Sequence, residues 1–140
     1  MIAAVFDCGV LASALGWRGN PRFCLDLIYA GQALLCVTDD VWQEYAAKIP
    51  VILAEEKRLV DVDKELAQIL KLARFVDPAP LGQRRSRDLE DDRYLAAALG
   101  AEAACVVTND RDLLDLGKPF GIAMLTPVEF VRLARGPGMS

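Results

Sequence analysis

The stretch Cys105 to Asp112, CVVTNDRD, ends an apolar run in a hydroxyl and then presents two carboxylates, Asp110 and Asp112, two residues apart. Cys105, Val106 and Val107 read as a buried strand, and the turn-prone residues Thr108 to Asp112 follow it. Ligands of open α/β sheets bind outside the carboxyl ends of the strands, which is where these side chains are expected. A second apolar run, Ile2 to Phe6, is too short for a helix and ends in Asp7, so it predicts a central parallel strand with another acid at its end. Glu44, on a helix after the next strand, and Asp92, on the helix before Cys105, can converge with Asp7 and Asp110 on one edge of a parallel sheet. Such a group repels itself, and Mg²⁺ or Mn²⁺ held by carboxylates and water removes the conflict. Taken singly, Glu44 reads as a solvated helix residue and Asp91 as a helix-dipole partner; it is the joint pattern that points to a site.

Other chemistries are narrowed by what is missing. The chain has no His, which excludes Ser-His-Asp and Cys-His catalysis. Cys8, Cys24, Cys36 and Cys105 stand singly in apolar surroundings, without zinc-ligand spacing, and read as buried thiols. At 140 residues and 54% hydrophobic, the chain fits one soluble domain, residues 1–135, with a disordered tail over 136–140. No apolar run reaches the ~20 residues of a membrane span and the N-terminus lacks the basic region of a signal peptide, so a cytoplasmic protein is expected. The net charge of -4 argues against coating nucleic acid through bulk positive charge, and leaves room for a local basic patch.

The elements that must position these acids alternate. Asn20-Pro21 reads as an N-cap and first helical residue, with Gly31 as the stop. Ala33 to Val37 predicts the second strand, and Thr38 caps a helix that Pro50 ends. Val51 to Ala73 reads as two further helices broken near Asp61 to Asp63, followed by a short strand at Phe75 and Val76. Pro78 to Asp88 is a loop, and Leu89 to Leu99 a helix stopped by Gly100. A helical turn at Leu113 and Leu114, a strand over Gly121 to Leu125 and a capping box at Thr126 and Glu129 complete the chain. Strands alternating with helices predict a three-layer α/β/α sandwich around a mostly parallel sheet.

The first strand ending in Asp7 and running into VLASAL, Glu44 six residues after Thr38, the run DLEDDRYLAAA and the run VVTNDRDLL together resemble a PIN-domain ribonuclease. The resemblance extends from Met1 to about Phe130, and is strongest to PIN proteins of the VapC type, the toxin components of toxin–antitoxin systems. It implies an acidic metal site of Asp7, Glu44, Asp92 and Asp110, with Asp112 as an auxiliary acid and Mg²⁺ or Mn²⁺ as the cofactor. Asp92 is preferred to Asp91 because the family's third acid stands three residues before the apolar residue matched by Leu95. Ser13 and Thr108 match polar positions lining that site, and Asp88 is a supporting acid one turn earlier. The chemistry implied is metal-assisted hydrolysis of RNA phosphodiesters. One departure stands out: the family's Asp-Thr-Asn is Asp7-Cys8-Gly9 here, which removes an amide beside the first acid and bears on catalytic rate.

An RNA substrate needs positive charge to approach an acidic site. Arg84, Arg85, Arg87, Arg93 and Arg111 are the expected substrate-binding residues, and Arg18, Arg22 and Trp17 a further basic and stacking rim. The resemblance also implies a small antitoxin partner and a homodimer. The competing expectation, motivated by Gly9, is a PIN module that binds RNA or a partner protein without cleavage. An aspartyl-phosphate phosphotransferase would need a second Asp at the position of Gly9.

Overall fold

The computed structural model of the protein describes residues 1–83, 85 and 91–136. Strands β1 (Ile2–Phe6), β2 (Ala33–Val37), β3 (Arg74–Phe75), β4 (Cys105–Val107) and β5 (Ala123–Leu125) form one sheet in the order β3-β2-β1-β4-β5. Every pairing is parallel, with Ala4 beside Leu35 on one flank and Cys105 on the other. Between the strands run α1 (Cys8–Gly16), α2 (Asn20–Tyr29), α3 (Asp39–Glu55), α4 (Val62–Leu72), α5 (Asp92–Ala101) and α6 (Arg111–Leu114), and α7 (Pro127–Arg135) follows β5. The result is a three-layer α/β/α sandwich, as the alternation of elements predicts.

The apolar runs behave as strands buried on both faces must. Ala4, Val5, Phe6, Leu35, Cys36, Val37 and Cys105 to Val107 are fully buried. Phe6 meets Phe130 of α7 edge to face at 5.7 Å, which ties the sheet centre to the last helix. All the cysteines are free and buried, and burial pushes the thiols of Cys8, Cys24 and Cys105 up to about 12, well away from reactive thiolates. Among the described residues no helix is long and apolar enough to cross a membrane.

Polar residues just past the strands turn the chain into the helices that follow. Asp7 accepts from Val10 N at 2.7 Å, Thr38 from Val41 N at 3.1 Å and Asp110 from Asp112 N at 2.9 Å, while Thr126 and Glu129 form the expected capping box. These caps line up along the carboxyl edge of the sheet. β1 and β4 flank the point where the strand order reverses, so the crevice of this fold opens between Asp7 and Asp110.

Several boundaries differ from the sequence reading. Pro50 lies inside α3, which runs on to Glu55, because Ile49 and Leu53 on either side of it are buried and hold both halves on the core. That tertiary anchoring outweighs the ~3 kcal/mol a mid-helix proline costs. The break before α4 therefore falls at Glu56 to Asp61, with Asp61 as its cap. Gly19, not Asn20, is the N-cap of α2. The third strand is Arg74–Phe75, one residue earlier than expected, and β5 begins at Ala123 because Pro119–Gly121 form a 3₁₀ turn.

Gly100 does not stop α5. The helix continues to Ala101, and Glu102 takes the left-handed cap. Glycine serves close approach there, since a Cβ at Gly100 would stand 2.0 Å from the Asp77 carbonyl oxygen. The expected start of this helix at Leu89, and the tail 137–140, lie outside the described residues.

Candidate functional site

A cavity of about 420 Å³ opens at the carboxyl edge of β1, walled by Asp7, Glu44, Asp91 and Asp110, with Ser13, Lys48 and Tyr94. The acids come from the end of β1, the middle of α3, the turn before α5 and the turn after β4. Asp7, Glu44 and Asp91 are buried, whereas Asp110 and Asp112 are only partly so.

Asp7 sits at the centre. One carboxylate oxygen takes the Val10 amide, and the other accepts from the Thr108 hydroxyl. Thr108, fully buried, in turn accepts from the Asp110 amide at 2.9 Å, so a single hydroxyl couples the first acid to the turn that carries the fourth. Burial raises the Asp7 carboxyl from 3.8 to about 6 against these hydrogen bonds, with the nearby charges of Asp110 and Glu44 adding to the rise. An acid so placed gains from a cation beside it.

Glu44 is engaged on both oxygens. Tyr94 donates its hydroxyl to Oε1 and accepts the Cys8 amide at 3.1 Å, while Arg93 Nη1 stands 2.6 Å from Oε2. Lys48, one helical turn along α3, lies 3.9 Å from Oε1. Tyr94 thereby fixes the residue after Asp7 and the second acid at once, and burial with that hydrogen bond holds its hydroxyl in the neutral form.

Of the two adjacent acids, the structure brings Asp91 to the cavity wall rather than the Asp92 of the sequence reading. Asp91 lines the cavity, and carboxylate oxygens of Asp91, Asp110 and Asp112 lie within 4.8 Å of one another. Asp92 is buried but turns away: its Oδ2 accepts from the backbone amide of Arg85 at 2.9 Å and it does not wall the cavity. Hard oxygen donors grouped in this way suit a divalent cation such as Mg²⁺ or Mn²⁺. The residues close enough to share one ion are Asp91, Asp110 and Asp112, and Asp7 and Glu44 wall the same cavity.

The expected basic residues divide. Arg93 is committed to Glu44 and also approaches Asp40 at 3.8 Å. Arg85 folds its guanidinium over Phe120, 4.9 Å from the ring centroid, and donates to the Leu81 carbonyl. Arg111 is exposed and does not line the cavity. Arg84, Arg87 and Asp88 lie outside the described residues. Sequence reasoning passes over Lys48 and Tyr94; Lys48 stands at i+4 from Glu44 on a helix, a spacing that could have found it.

A family model for the PIN domain matches residues 3–112. Among solved structures, the crystal structure of PAE2754 from Pyrobaculum aerophilum shares the fold, with a TM-score of 0.60 and 22% identity over 96% of this chain and 91% of that one. No curated protein matches the chain. The family match takes in every acid from Asp7 to Asp112 and both strands that flank the crevice, so the chain belongs to the PIN-domain family, a nuclease fold.

Proposed function

We propose that this protein is a divalent-metal-dependent endoribonuclease that hydrolyses single-stranded RNA, acting as the toxin of a toxin–antitoxin pair. The observation that carries the nuclease reading is the convergence of Asp7, Glu44, Asp91 and Asp110 on one cavity from four separate elements. The toxin role and a small antitoxin partner rest on the likeness of the sequence motifs to VapC-type proteins.

In this reading Asp7, Asp91, Asp110 and Asp112 hold the cation, and Asp91 takes the place the sequence assigns to Asp92. The cation supplies charge neutralisation for a phosphodiester and activation of water near neutral pH. The chain does the positioning. Thr108 and the Val10 amide keep Asp7 oriented and favour its charged form. Tyr94 and Arg93 lock Glu44 against the start of α1, and the Lys48 ammonium on the cavity wall offers a positive contact for a phosphate oxygen. Asp92 is taken up by the Arg85 amide, while its neighbour Asp91 walls the cavity.

A second reading, an RNA- or protein-binding module without cleavage, is favoured by Gly9, which leaves the first acid without the neighbouring amide of the family pattern. Incubation of the purified protein with a mixed single-stranded RNA pool and Mg²⁺ or Mn²⁺ separates the two. Cleavage lost in Asp7→Asn supports hydrolysis; tight RNA binding with no turnover under either ion supports the binding module.

A further inference from the structure

A second cavity, of about 650 Å³, adjoins the acidic one along the seam of α1 and α3 and shares none of its acids. Its wall carries Trp17, Arg18, Arg22, Phe23, Asp26 and Arg58. Ser13 of α1 and Ile52 of α3 face the acidic cavity, while Gly16 at the end of α1 and Arg58 just beyond α3 face this one. On α1 the nearest lining residues of the two, Ser13 and Leu15, are two positions apart, and Cys8, beside the acids, lies about 12 Å of helix rise from Gly16, a reach that a few nucleotides of extended single strand cover.

The cavity is built around Trp17. The Arg58 guanidinium lies over the indole, 4.8 Å from the ring centroid, and Arg58 Nε donates to the Gly16 carbonyl at 2.8 Å. Gly16 permits this packing, since a Cβ there would meet a Leu53 methyl at 2.6 Å and Arg58 Cγ at 3.4 Å. With Arg58 fixing its orientation, Trp17 keeps 37% of its surface exposed and Phe23 keeps 49%. Arg22 pairs with Asp26 at 3.3 Å, so the wall holds three guanidinium groups against one carboxylate in a chain of net charge -4. A local excess of arginine around an aromatic face is what single-stranded nucleic acid requires, charge for its phosphates and a ring for a base.

We infer that this cavity is a substrate subsite at which Trp17 stacks one base of a single-stranded RNA and Arg18, Arg22 and Arg58 hold the adjoining phosphates, while the strand continues along the α1–α3 seam into the acidic site. The choice of RNA rests on the nuclease reading; the binding itself does not require hydrolysis.

The chain's two tryptophans make the test direct. Trp42 packs away from both cavities, on Tyr45 and Phe75, so Trp42→Phe leaves Trp17 as the only indole. Titrating that variant with a short oligouridylate in EDTA should quench Trp17 emission saturably. By anisotropy of a labelled oligouridylate, Trp17→Ala should bind roughly tenfold more weakly. Arg18→Glu, at an exposed position that folding tolerates, should flatten the slope of log affinity against log salt by about 0.7 for each phosphate left without its cation. RNA cleavage by the parent together with an unresponsive Trp17 and unchanged binding by both variants would overturn the subsite and leave the nuclease reading standing. Quenching without cleavage in Mg²⁺ or Mn²⁺ would support the subsite and overturn hydrolysis. Quenching by an acidic peptide and not by oligouridylate would mark the cavity as a protein-docking site and overturn the inference.

Discussion

Thr108 donates its hydroxyl to Asp7 across 101 positions of sequence, and this hydrogen bond joins the two strands that flank the crevice. It is the tie that holds the first acid in its charged form inside an otherwise desolvating site. Because the same oxygen accepts the Asp110 amide, the orientation of Asp7 and the shape of the Asp110 turn are set together.

Thr108→Val keeps the shape and removes the donor. Asp7 is then left buried with one hydrogen bond fewer, a loss of about 2 kcal/mol at pH 8 where the carboxylate must be charged. Urea denaturation checks the stability, and cleavage in Mn²⁺ is expected to fall with it. Thr108→Ser should recover most of both; a Val variant as stable and active as the parent would show that the hydroxyl is dispensable.

The raised Asp7 carboxyl makes metal-free stability fall with pH. Below about pH 4 the group is protonated in both folded and unfolded chains. Between 3.8 and about 6 the folded protein retains the proton that the unfolded chain has released, so its stability relative to the unfolded state drops as pH climbs through that window. The full decline is about 3 kcal/mol, present above pH 6 in EDTA. Asp7→Asn should lack this decline, and Mn²⁺ should restore the parent above pH 6 because cation binding favours the carboxylate. Denaturation midpoints against pH, with and without Mn²⁺, read all three effects.

Arg93 neutralises a carboxylate that is otherwise buried. Arg93→Met removes the 2.6 Å partner of Glu44 and should cost about 3 kcal/mol, more than an exposed ion pair would. Glu44→Gln combined with Arg93→Met should cost clearly less than the sum of the single changes. A double-mutant cycle showing simple additivity would contradict the coupling.

Gly9 offers a gain. A Cβ there meets only Asp7 Oδ1, at an ordinary 3.6 Å, so a side chain fits. Gly9→Ala should stabilise α1 by about 0.5–1 kcal/mol through its backbone entropy alone. Gly9→Asn adds an amide beside Asp7 and should raise the cleavage rate severalfold where Gly9→Ala does not. Equal rates for the two variants would show that the amide has no part in this site.

Much of this arrangement is legible in the sequence, for identifiable reasons. Ile2 to Phe6 and Cys105 to Val107 are apolar on both faces because helices cover both sides of a parallel sheet, and the residues that end them must lie at its edge. Asp7, Thr108 and Asp110 follow from that alone. Pro50 misleads because local propensity says nothing of the buried Ile49 and Leu53 that hold the helix together. That Asp91 and not Asp92 walls the cavity goes with the Arg85 amide that captures Asp92, a hydrogen bond that no periodicity encodes. Tyr94 is hidden in the same way: on an alanine-rich face it reads as packing, and only its two polar partners, Cys8 and Glu44, reveal what its hydroxyl does.

The most direct test of the site is the cleavage of single-stranded RNA in Mn²⁺ by the parent, Asp7→Asn, Asp91→Asn and Asp92→Asn, side by side. Cutting is expected from the parent and, at a reduced rate, from Asp92→Asn, with activity lost in the other two. Full loss in Asp92→Asn with activity kept in Asp91→Asn would contradict the assignment of the third acid, and cleavage surviving in Asp7→Asn would contradict the acidic cavity as the place where hydrolysis occurs.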